Sequence, residues 1–194
     1  MARAEKAQRR QLTRDDWAAA AAKALAAGGV AAVAVEPIAA QLGATKGSFY
    51  WHFANREALL RAALEHWEHQ HTAVVLAEID ARGDDPLTRL RLLIKRVTEA
   101  VQEDRIALAL LADADHPIVA PVLRRVTERR VRYTADLLAE LGLAPDRAAQ
   151  RALLAHSAYL GHAYLSYAAP EILPRSRAAR SRYLDDVIAT LIAR

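Results

Sequence analysis

The densest chemistry in the chain lies in residues 36–57, EPIAAQLGATKGSFYWHFANRE. A lysine, a glycine and a serine (Lys46, Gly47, Ser48) precede the aromatic run Phe49, Tyr50, Trp51, His52 and Phe53. The stretch reads as two short helices around Gly43, a residue free to take the left-handed angles that stop one helix and start the next at a steep angle. Ala39, small and next to Ile38, lets the second helix come close. A pair of helices so joined can offer the N-terminal residues of the second to the major groove of DNA. Tyr50 and Trp51 are adjacent and cannot face the same side of a helix, so one of them is expected in a core with Phe49 and Phe53. Tyr50 is the better donor to a phosphate.

Other chemistries find less support. His66, His69 and His71 are close in sequence, but only the first two share a helix face and no carboxylate completes a site, so no metal is expected. Serine-hydrolase, phosphate-loop, zinc-protease and dinucleotide fingerprints are all missing, which argues against an enzyme and against a bound cofactor. The chain has no cysteine, which excludes disulfides and thiolate metal sites. It has no uncharged apolar run long enough to span a bilayer, and its charged N-terminus lacks a following apolar core; a cytoplasmic protein is expected, away from membranes.

The elements that must carry the 36–57 segment follow from periodicity. The chain has 194 residues, with alanine-leucine stretches, interspersed charges and only seven glycines and seven prolines. An all-α protein of about nine helices is expected. Residues 1–11 read as a basic flexible arm bearing Arg3, Lys6, Arg9 and Arg10. Thr13 caps a first helix with a buried stripe of Trp17, Ala20, Ala21, Ala24 and Leu25, ending at Gly28-Gly29. Helix two starts near Glu36-Pro37 and ends at Leu42-Gly43. Helix three runs from Thr45, its cap, to Phe53. Asn55 caps helix four, whose apolar series continues from Leu59 through Ile79. Further helices are expected at 86–102, 104–113, 117–141, 145–169 and 176–193. Charge divides unevenly along this plan: residues 1–61 hold nine Lys/Arg against five acids, and the remainder hold 18 of each. The surplus therefore sits where phosphate attraction would need it.

These residues resemble the DNA-binding head of TetR-type (tetracycline-repressor-like) transcriptional regulators. Ile38-Ala39, Leu42-Gly43, Lys46 to Phe53 and Asn55 to Leu60 follow the family pattern in order and spacing. The resemblance implies a three-helix helix-turn-helix head at 12–58 and a helical ligand-binding and dimerisation body at 59–194. It implies a repressor that binds a palindromic double-stranded operator as a homodimer and is released by a small-molecule inducer. A DNA-binding dimer without any such ligand is the alternative. By position, Thr45, Lys46, Gly47 and Ser48 would open the recognition helix on base edges, with Gly47 where the backbone comes closest. Tyr50, Trp51 and His52 would touch phosphates or base methyls, and Arg56 would anchor a phosphate. Ala34-Val35 replaces the usual Ser/Thr pair, and Glu36 stands where basic or polar residues are common.

Polar and aromatic residues on apolar faces are candidates for lining an inducer cavity: Trp67, His71, His116, Tyr133, His156, Tyr159 and Tyr164. In the family the last two helices pair with their copies. Leu153, Leu154, Leu160, Leu165, Tyr183, Leu184, Val187, Ile188 and Leu191 form apolar stripes there that could do so, or could close the monomer's own core.

Overall fold

A computed structural model describes residues 11–83, 85–100 and 105–193; the basic arm lies outside them but for Gln11. The fold is all-α, with no strand among the described residues. α1 is Arg14–Gly28, opened by a reciprocal cap in which the Thr13 hydroxyl accepts from the Asp16 amide and the Asp16 carboxylate accepts from the Thr13 amide. It stops at Gly29, whose φ of 64° suits glycine. A single turn, Val30–Ala32, leads to α2 (Val35–Gln41). α3 is Lys46–Phe49.

α4 runs over 56–82: an α-helical part Arg56–Glu68, a wider π turn His69–Ala73, and a second α-helical part Val74–Arg82. The remaining helices are α5 (Pro86–Ala100), α6 (Arg105–Ala112), α7 (Val119–Glu140), α8 (Pro145–Ala168) and α9 (Arg177–Ile192). Nine helices is thus the count among the described residues, with α4 taken as one.

Two expectations change. Helix three was expected to reach Phe53, but its α-helical part stops at Phe49. Beyond it the chain tightens, with the Trp51 amide donating to the Ser48 carbonyl and the His52 amide to that of Phe49. The tighter turn brings Phe53 back over Phe49, ring centroids 5.6 Å apart, and both are buried with Trp17. The helix expected from Pro117 begins at Val119, after a turn that His116 holds. Its carbonyl accepts from Val119 and Ala120, and its Nδ1 accepts from the Ile118 amide at 3.2 Å.

The first core cluster joins α1 to α4 with Ile106, Ala107 and Leu110 of α6 and with Val119, Val122 and Val126 of α7. Packing is therefore continuous across residue 58. A polar pin reinforces it: the Asp113 carboxylate, just past α6, accepts from the Val30 amide at 2.8 Å. The second cluster joins the end of α4 to α5, α7, α8 and α9. Ile188 and Leu191 are buried in it, and Leu184 and Val187 pack against it. The C-terminal stripe thus closes the monomer's own core. The face of α8 does not: Leu153 is 60% exposed and Tyr164 62% exposed.

Candidate nucleic-acid interface and body cavity

The recognition segment is held from its first residue. Thr45 Oγ1 accepts from the Ser48 amide at 3.2 Å, and Ser48 Oγ donates to the Thr45 carbonyl at 2.8 Å. Both hydroxyls therefore help to fix the turn. A Cβ built on Gly47 would find Thr45 Oγ1 at 3.7 Å as its closest neighbour, an ordinary contact. Nothing inside the described protein requires glycine there.

Lys46 Nζ donates to Glu36 Oε1 at 2.7 Å, tying the first residue of α3 to the first turn of α2. The hydrogen bond and the opposite charge hold the Glu36 carboxyl below its usual range and the Lys46 ammonium above its own. Both are charged at neutral pH and both are exposed. Glu36, the unusual residue of the sequence, is thus the lysine's partner in the free protein.

Tyr50 and Trp51 were expected to divide between core and surface. Instead both are exposed, Tyr50 by 58% and Trp51 by 88%, because Phe49 and Phe53 with Trp17 already fill the head. His52 is half-buried, its ring 6.5 Å from that of Trp17. Arg56, expected on a phosphate, turns back into the protein. Its Nε donates to the Val33 carbonyl at 2.6 Å and its Nη2 to that of Val30. The carbonyls of the short α1–α2 turn need donors, and the start of α4 supplies them.

This geometry has relatives. A family model described as bacterial regulatory proteins, tetR family, matches residues 18–63, the span from within α1 through α2 and α3 to the start of α4. This part of the chain is similar to the DNA-binding head of TetR-type regulators. Members of that family are non-enzymatic, DNA-binding transcription regulators. The HTH-type transcriptional regulator TtgR of Pseudomonas putida is 34% identical over 87 residues, 45% of this chain and 41% of its own length. The matched stretch spans less than half of that curated relative. SCO4454, a TetR-family transcriptional regulator from Streptomyces coelicolor, superposes with a TM-score of 0.71 at 15% identity, over 92% of this chain and 95% of its own. AibR, solved in complex with isovaleryl coenzyme A and operator DNA, gives 0.65 at 18% identity, over 93% and 98%. At such identities the structural likeness is one of fold.

Behind this head, the body holds a half-open cavity of about 70 Å³ between α4, α5, α7 and α8. Three of the expected residues line it: His71, His156 and Tyr159. The others do not. Trp67 is fully buried behind it, stacked beneath the Arg130 guanidinium at 5.5 Å. His116 lies in the turn that leads into α7, as described above. Tyr133 points to the far side, where its hydroxyl donates to Asp80 at 2.6 Å; burial and that carboxylate push the phenol's pKa up. Tyr164 lies on the exposed face of α8.

Sequence reasoning missed Thr72, Arg96, Arg130 and Thr134. Arg130 Nε donates to Thr72 Oγ1 and its Nη2 to the His71 carbonyl, both at 3.0 Å, so it fastens α7 to the π turn of α4. Its guanidinium also lies 5.9 Å from the Tyr159 ring. Burial first, and then Arg130, hold His156 below the ordinary imidazole value. In the sequence Arg130 hides among Arg124, Arg125, Arg129 and Arg132. One signal was available: Val122, Val126, Arg130 and Thr134 recur every fourth residue on the inward stripe of α7.

Among the described residues no group of three or more histidines and acids could hold a metal. His66 Nδ1 instead meets Asp15 at 3.1 Å. No described helix is long and apolar enough to cross a membrane.

Proposed function

We propose that the chain is a ligand-responsive transcriptional repressor that binds a palindromic operator as a homodimer and is released by a small-molecule inducer. Residues 12–58 serve as the reading head and 59–194 as the sensing and pairing body. One observation carries the reading: α4 bears Arg56, which clamps the head's α1–α2 turn, and also His71 and Thr72, which line the body cavity. A change at the cavity has a direct mechanical path to the head.

On DNA, Lys46 and Ser48 face base edges, with Gly47 allowing close backbone approach. Tyr50, Trp51 and His52 contact the phosphate backbone, and Thr45 keeps the helix start in place. A second copy pairs through the open face of α8, where Leu153, Leu154, Tyr164 and Tyr167 are exposed. The dimer sets two recognition helices about one DNA turn apart, roughly 34 Å. An inducer favouring another spacing lowers operator affinity by shifting the population.

The test is a binding-site selection with the purified protein, repeated with candidate metabolites. An inverted-repeat consensus whose retention falls with one metabolite is expected. Selection of half-sites, or no enriched sequence, would refute the dimeric reader, and an operator indifferent to every metabolite would remove the inducer.

A further inference from the structure

The chemistry of the cavity names a class of ligand. Its walls are largely apolar, with Val75 and Leu76 on one side and Leu93, Ile94 and Val97 on another. Its polar groups are Arg130, His71, His156, Thr72 and Thr134, with the exposed Arg96 beside them. No carboxylate is among the described residues that line it. A guanidinium presents a planar fork of donors that matches a carboxylate, and such charge-assisted bonds are the strong ones in a half-buried site. An ammonium would meet two arginines there and be repelled, whereas a neutral ligand would offer the fork no stronger acceptor than the Thr72 hydroxyl and the His71 carbonyl it already holds.

We propose that this cavity binds a small amphipathic carboxylate, its anionic end on Arg130 beside His156 and its apolar end among Leu93, Ile94 and Val97. Size follows from volume. At about 10–15 Å³ for each water-sized site, 70 Å³ accommodates a few non-hydrogen atoms without rearrangement. A short aliphatic or single-ring acid fits this space better than a long lipid. The inference rests on the ligand-responsive reading for its biological use, and it adds a route for the signal. A carboxylate on Arg130 competes with the Thr72 hydroxyl and the His71 carbonyl, the two acceptors through which Arg130 holds the π turn of α4.

Calorimetric titration of the full-length protein, without DNA, tests the class directly. The probes are butyrate, hexanoate and benzoate, each set against its primary amide and its primary amine. At least one acid should bind tenfold or more tightly than its matched amide and amine, and Arg130→Gln should weaken that acid by a similar factor. Circular dichroism and a thermal melt check that the variant is folded. Equal binding of acid and amide, preference for an amine, an unchanged acid affinity in folded Arg130→Gln, or no binding by any of the acids would each overturn the proposal. Operator release is then scored separately. An acid that binds through Arg130 but leaves the operator occupied refutes the inducer reading alone. A neutral or cationic inducer acting while the acids do not bind refutes the carboxylate alone.

Discussion

Gly47 and Glu36 carry the sharpest consequences of single side chains. A methyl group on Gly47 meets no close neighbour within the described protein, and alanine favours helix over glycine by up to about 1 kcal/mol. Gly47→Ala should therefore leave thermal stability unchanged or slightly raised, while operator affinity falls at least tenfold in fluorescence anisotropy. A loss of stability comparable to the loss of binding would mean that the glycine serves the fold. Glu36 neutralises the lysine that leads the recognition helix. Glu36→Gln should strengthen binding to non-operator DNA and steepen its salt dependence by about one in the logarithmic slope, since one more cation is free to meet phosphate. Discrimination between operator and random sequence should fall as a result. An unchanged salt slope would show that the ion pair is already open on DNA.

At the scale of elements, α6 is the piece that makes head and body one packed unit. Leu110 is fully buried against the head, and Leu110→Ala should cost about 2–5 kcal/mol in a urea melt. Because the cluster spans both parts, head and body should unfold in one transition; two separate transitions in wild type would contradict the shared core. The sequence announced the elements well where the signal was local. Thr13, Thr45 and Asn55 each cap a helix as their positions suggested. The missed features depend on partners far along the chain. Arg56 meets a turn 23 to 26 residues away, Arg130 meets α4 across 58 and 59, and Asp113 meets Val30 across 83. Periodicity cannot report such pairs, because it encodes which face is apolar and not which neighbour faces it. Tyr133 and Trp67 show the same limit: each has an aromatic ring at helical spacing, yet one reaches Asp80 and the other is sealed behind Arg130.

For the whole molecule, the titrating groups favour neutral pH. Burial holds His156 and His162 below the ordinary imidazole value of about 6.5. As pH falls through that value the unfolded chain takes up protons before the folded one, so stability drops. Glu68, held low by Arg125, adds a second loss at more acidic pH, below about 4.5. The melting temperature should therefore fall between pH 7.5 and 5.5, and His156→Gln should flatten that part of the profile. A flat wild-type profile across this range would show that neither imidazole is masked.

The pin between Asp113 and Val30 has a use outside energetics. A head amide that donates to a body carboxylate has a proton chemical shift and a solvent-exchange rate that depend on that separation. In an isotope-labelled sample, the Val30 resonance becomes a built-in gauge of whether the two parts of the molecule stay in register. It can be followed through titrations of DNA or of small acids, with no probe attached.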